Sequence, residues 1–207
     1  MNGKLSGTIA FALVCAAAAG FSMPARAAVH GFRGAHAGHI GATYGNGEGG
    51  LTHVRGTRIS GARGTAGHAS RTTYYADGSI AHNGGTNVTG ANGGSFTGRN
   101  SYTRNADGSS QWTDTASGKN VNGGTYDHDG NWSRASDGSI SGSSQTTASG
   151  AKGTYDASSS AANGTFTHDT TVTNAAGDIY TGQSTYTKGH QFPSCQRHRA
   201  TCAGSSH

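Results

Sequence analysis

Asp127, Asp129 and Asn131 are spaced two apart around Gly130 in the stretch TYDHDGNWSRASDGS, residues 125–139, which is how a calcium loop begins. Calcium takes six to eight oxygens, and a helix–loop–helix loop of this pattern closes with a bidentate Glu at position 12. Counted from Asp127 that position is Gly138, and Glu48 is the only Glu in the chain. Thirty residues earlier the equivalent positions are Thr97 and Arg99, so the carboxylates do not recur where a repeated site would repeat them. The stretch therefore reads as turn chemistry at the join between two repeat units.

Imidazole is the next candidate for chemistry. His30, His36, His39, His53 and His68 crowd the first part of the chain, and neutral imidazole is a good ligand for zinc, copper and nickel. No Cys stands among them and Glu48 is the nearest carboxylate, so the expectation is weak metal capture. Near the C-terminus, Cys195, His198, Cys202 and His207 imitate a four-ligand zinc spacing. An exported chain favours a Cys195–Cys202 disulfide instead.

Motifs that would carry catalysis or a cofactor are missing. Gly45-Asn46-Gly47-Glu48-Gly49-Gly50 matches a dinucleotide-binding pattern by letter but follows no predicted strand and opens no helix. Ser, His and Asp are plentiful, yet no spacing assembles a triad. The expectation is a non-enzymatic protein without a cofactor.

Composition decides what could position any such groups. Between residues 76 and 190 there is no Leu and no Met, and large apolar residues hold 15 of 115 positions. That is too few for a conventional globular core, while abundant Thr, Tyr and Trp favour strands over helices. Lys4, the apolar run Ile9–Phe21 and the small-x-small pattern Ala25–Ala27 read as a signal peptide over 1–27, cleaved after Ala27. Without Lys4 and Arg26 the chain carries 13 basic and 10 acidic residues, a net of +3 with His neutral. Residues 28–69, rich in Gly, His and Arg, read as a flexible arm.

From there a repeat sets in. Asp77-Gly78, Asp107-Gly108 and Asp137-Gly138 recur thirty residues apart, and each is a hairpin signal. Phe96, Tyr126, Tyr155 and Tyr186 follow at spacings of 30, 29 and 31, and Tyr102 and Trp132 are again 30 apart. Units begin near 76, 106, 136 and 175. The sequence thus predicts an all-β, elongated repeat array over 70–190, of hairpins or a solenoid, with an aromatic ladder as its apolar seam. Substantial disorder is the competing expectation for so polar a chain. Residues 191–207 form a tail with the Cys pair.

The function that follows is an exported structural, adhesive or self-associating protein of a bacterial cell envelope or extracellular matrix, secreted or periplasmic. Its partners would be copies of itself or an extended extracellular polymer or surface, with no specific nucleic acid and no transmembrane segment after signal removal. The alternative is a His-rich metal-binding protein.

Overall fold

The computed structural model describes residues 28–187 and the backbone of a further strand over 194–200. The strands are β1 (Ala28–Arg33), β2 (Ala37–Gly45), β3 (Leu51–Gly61), β4 (Gly64–Tyr74), β5 (Ile80–Gly90) and β6 (Ser95–Arg104). They continue as β7 (Ser110–Lys119), β8 (Thr125–Arg134), β9 (Ile140–Gly150), β10 (Gly153–Ala162), β11 (Thr165–Asn174), β12 (Ile179–Thr187) and β13 (Ser194–Ala200). All 13 lie in one open sheet in sequence order, each antiparallel to the next. No second layer packs on it among the described residues.

The turns explain the meander. Gly78, Gly93, Gly108, Gly123 and Gly138 all have φ between 80° and 86° and fall fifteen residues apart. In the turn after β6, Gly108 N–H donates to the Asn105 carbonyl at 3.0 Å and Asn105 N–H to the Ser109 carbonyl at 2.8 Å. This is a type I turn closed by a left-handed glycine bulge, and the same pair of bonds recurs at Tyr75–Ser79, Asn120–Gly124, Ala135–Ser139 and Asn174–Asp178. Glycine is needed because an L side chain in that conformation costs about 1–2 kcal/mol. Asp is not used for a left-handed φ here. Its role is to accept: Ser109 donates to Asp107 Oδ1 from its backbone N–H at 2.9 Å and from its hydroxyl at 2.6 Å.

Residues 28–69 correct the expectation of a flexible arm. They form β1–β3 and most of β4, with β3 and β4 paired over eleven positions. The Gly-rich segment that matched a nucleotide-binding pattern is the turn that joins β2 to β3. Asn46 Oδ1 accepts from Glu48 N–H at 3.1 Å and from Gly50 N–H at 2.9 Å. Asn120 and Asn174 do the same in their own turns. High glycine content therefore marks bends and close cross-strand approaches in this chain and does not mark looseness.

The core is correspondingly thin. Ala157 and Ala161 are its buried apolar side chains, and Thr52, fully buried, shares a 3.3 Å hydroxyl hydrogen bond with Thr73. Stability rests on the backbone ladder and on side chains paired across adjacent strands.

The turn carboxylates give a pH-dependent test. Asp77 and Asp107 are held below the ordinary value of 3.8 by the hydroxyls of Ser79 and Ser109 and then by their backbone N–H groups. A lowered folded-state pKa contributes stability that is present above 3.8 and lost as pH falls through the folded value. The doubly substituted Asp77→Ala, Asp107→Ala chain is expected to melt below wild type at pH 6. The difference should shrink toward zero as the melts are taken down to pH 2, and an undiminished gap there would refute the assignment.

Candidate functional site

Register decides what each face of the sheet carries, because directly paired residues share a face and alternate residues point oppositely. One row runs from His82 through Tyr102, Trp112 and Trp132 to Gly142. It continues through Ala161 and Phe166 to Tyr186. Six residues further along the strands, and so on the same face, a second row runs from Val88 through Phe96, Gly118 and Tyr126. It goes on through Ala148, Tyr155 and Val172 to Tyr180. The opposite face carries Ser, Thr, Asn, Asp and Gln along most of its length, as in β8, where Thr125, Asp127, Asp129, Asn131 and Ser133 alternate with the aromatics.

The aromatic ladder is thus two rows. Phe96, Tyr126 and Tyr155 share one, with Tyr180 as its continuation, while Tyr186 belongs to the other row with Tyr102 and Trp132. The expectation placed Tyr186 wrongly because equal spacing along the chain does not fix register once one turn is shorter. Between β10 and β11 only Asn163 and Gly164 intervene, against five residues between β8 and β9, so beyond Tyr155 the row reaches Tyr180 after 25 residues. Trp112 and Phe166 complete the first row. Trp112 and Trp132 stack with centroids 6.4 Å apart and planes 17° apart, and Trp132 stacks on Phe166 at 6.1 Å.

The Trp132–Phe166 contact spans two intervening strands. It is possible because Gly142 and Ala161, which lie between them in the row, leave a low floor over which both rings lean. A Cβ on Gly142 would lie 2.3 Å from the Asn131 carbonyl and 3.0 Å from the Trp132 ring. Phe96 lies similarly against Gly98 and Gly118, where an added Cβ would meet its ring at 3.3 and 3.4 Å. Long side chains thus cover neighbouring glycines, as a sheet without a second layer requires.

Histidines occupy the same face in a recurring arrangement. His39, His53, His68, His82 and His128 each stand directly opposite a Thr, and His168 opposite Ser159. In all six the ring Nδ1 shares a hydrogen bond with the facing hydroxyl, at 2.7–3.1 Å. His128 carries a further bond, from Nε2 to Asp114 Oδ2 at 2.5 Å. A carboxylate only accepts, so Nε2 holds the proton and a neutral ring accepts from Thr146 through Nδ1. Nothing in the sequence spacing announces this Asp114–His128–Thr146 chain, which lies across β7, β8 and β9. Thr146 in turn faces His128 on one side and Ala157 on the other.

The sequence candidates for metal separate in space. His30 and His39 approach with ring centroids 5.8 Å apart. His36 sits in the bend between β1 and β2, and His53 and His68 are engaged with Thr43 and Thr86. No group of three or more His, Cys, Asp or Glu is placed to hold a metal among the described residues. Asp127, Asp129 and Asn131 are in the middle of β8, not in a turn or a join between units. Alternate positions in an extended strand are about 6.8 Å apart and cannot curl round a cation. Asp127 and Asp129 instead line a shallow depression of about 550 Å³ on the polar face, with Thr97, Arg99 and Gln145. The expected Cys195–Cys202 disulfide lies outside the described residues, which include neither Cys202 nor the side chain of Cys195.

No protein-family model, curated protein or solved structure matches this chain.

Two glycines on the aromatic face test whether cross-strand cover matters. Gly142→Ala places its Cβ against backbone and at φ 145°, and should cost about 2 kcal/mol in urea unfolding. Gly182→Ala meets nothing within 4 Å and should be neutral or stabilising by about 0.5 kcal/mol. Equal effects of the two would show that the floor under Trp132 is not a constraint.

Proposed function

We propose that this chain is an exported, non-enzymatic structural protein of a cell envelope or extracellular matrix, and that it works by association through its repeat sheet. The observation that supports this reading is the exposed aromatic face of a single-layer sheet. Phe96, Tyr126, Tyr155, Tyr180 and Tyr186 remain 37–50% exposed and belong to two rows that cross the sheet. Contiguous apolar patches of more than a few hundred Å² are rare on monomers and mark surfaces that meet something else. The leader-like segment over 1–27 supports export, and no helix among the described residues is long and apolar enough to cross a membrane. The outer edges of β1 and β13 have no neighbour in the sheet among the described residues, and such edges also invite association.

Light scattering on the purified chain over a hundredfold concentration range tests the reading. Mass should rise with concentration, with a β spectrum in the far ultraviolet throughout. A constant monomer mass that also ignores added polysaccharide would overturn it.

A second reading, metal capture, is favoured by one observation, the 5.8 Å approach of the His30 and His39 rings. Under it, calorimetric titration with zinc should give heat that disappears in the His30→Ala, His39→Ala chain. Identical heats from both chains would remove it.

A further inference from the structure

We infer that the aromatic face is covered by the same face of a second copy of this chain, giving a two-layer sandwich across a two-fold axis. This rests on the self-associating reading above and names its surface and its partner.

Alternation with period two is what a strand shows when one of its faces is covered and the other wet. Here the alternation is kept in β5–β12, yet nothing among the described residues covers the apolar side. The ten strands β3–β12 run 9 to 11 residues each. At about 4.8 Å between strands and about 3.4 Å per residue, they offer roughly 1,600 Å² on one face. A stable complex of standard size buries only about 800 Å² per partner. Face-to-face packing of two such sheets therefore supplies ample area.

Relief and charge suit a copy of the same face. The Trp112–Trp132 row and the Phe96–Tyr126–Tyr155 row stand as ridges, separated by two rows of smaller residues. Across β8–β10 the inner rows present Gly130, Ser144 and Ser159, then His128, Thr146 and Ala157. A ridge of one copy can seat in the trough of the other, as inner faces of β-sandwiches interdigitate. The sole charge in the trough across β6–β10 is Asp114, and His128 already holds it. Arg104 and Arg134 sit on the same face in the row next to the turns, at the rim, where charge is tolerated. An extended polymer would match only one ridge at a time, whereas a second copy matches ridges and trough together.

The full chain without residues 1–27 is the material for the test. Sedimentation equilibrium of wild type should give a dimer or its multiples, with tryptophan emission shifting to the blue as it forms. Tyr126→Ser with Tyr155→Ser should weaken association at least tenfold while the far-ultraviolet β spectrum is retained. Thr147→Arg with Thr171→Arg, on the polar face, should leave it unchanged. Should the Tyr variant unfold, Ala148→Arg provides a second probe of the same row and should give a folded monomer. If the aromatic-face variants associate like wild type but Gly31→Pro on the β1 edge does not, association is edge-to-edge. The sandwich is then overturned while the self-associating reading stands. A wild-type monomer whose tryptophan emission moves only on adding a polysaccharide would assign the face to a polymer and overturn the sandwich. A wild-type monomer indifferent to both would overturn the sandwich and the reading beneath it.

Discussion

The cross-strand pair is the interaction on which everything else here depends. With one layer there is no opposing sheet or helix against which a side chain can be buried, so each must find cover on the strand beside it. The sheet meets this in three ways. Aromatic rings lie over glycines, as Phe96 does over Gly98 and Gly118. Histidine rings bond the hydroxyl directly opposite, and hydroxyls such as Ser101 and Thr113 bond one another at 2.7 Å. Each contact is small, roughly 0.2–1 kcal/mol, and the structure is the sum of many of them.

That dependence explains the topology. Each described strand pairs with its neighbours in sequence, and from β1 to β12 the pairings are closed by turns of two to five residues that carry little loop entropy. Weak pairs suffice when the ends are held this close. Register is then set by turn length, which is why the Asn and Asp turn acceptors recur so regularly. It is also why a short turn, Asn163-Gly164, changes which aromatics align beyond it. The sheet behaves as a quasi-one-dimensional array in which each strand answers to its neighbours.

The same economy leaves a face unsatisfied. Trp132 can lean over Gly142 and Ala161 to reach Phe166, but no second layer among the described residues covers the rings themselves. The Asp114–His128–Thr146 chain of hydrogen bonds also runs across adjacent strands, from β7 through β8 to β9.

How much was legible beforehand follows from the same physics. Turns are local: Asp107-Gly108 followed by Ser109 is sufficient to bend the chain, and strand preference follows from Thr, Tyr and Trp alternating with small residues. By itself the sequence therefore determined that the chain is β, where many of its turns fall, and that it has no conventional core. Asn46–Gly50 was the missed signal, since its pattern of Asn with Gly three residues on matches Asn120–Gly123 and would have marked residues 28–69 as strands. Only the tertiary structure decided register, because register counts residues across turns of unequal length and no window of sequence contains both partners. It put Tyr180, not Tyr186, in line with Tyr155. It set Asp127 and Asp129 in mid-strand, with Gly130 between them and Asn131, where an added Cβ would push against the Asp114 carboxylate at 2.7 Å. It also gathered six histidines onto one face opposite hydroxyls, an arrangement made by pairing between strands and therefore invisible along any one of them.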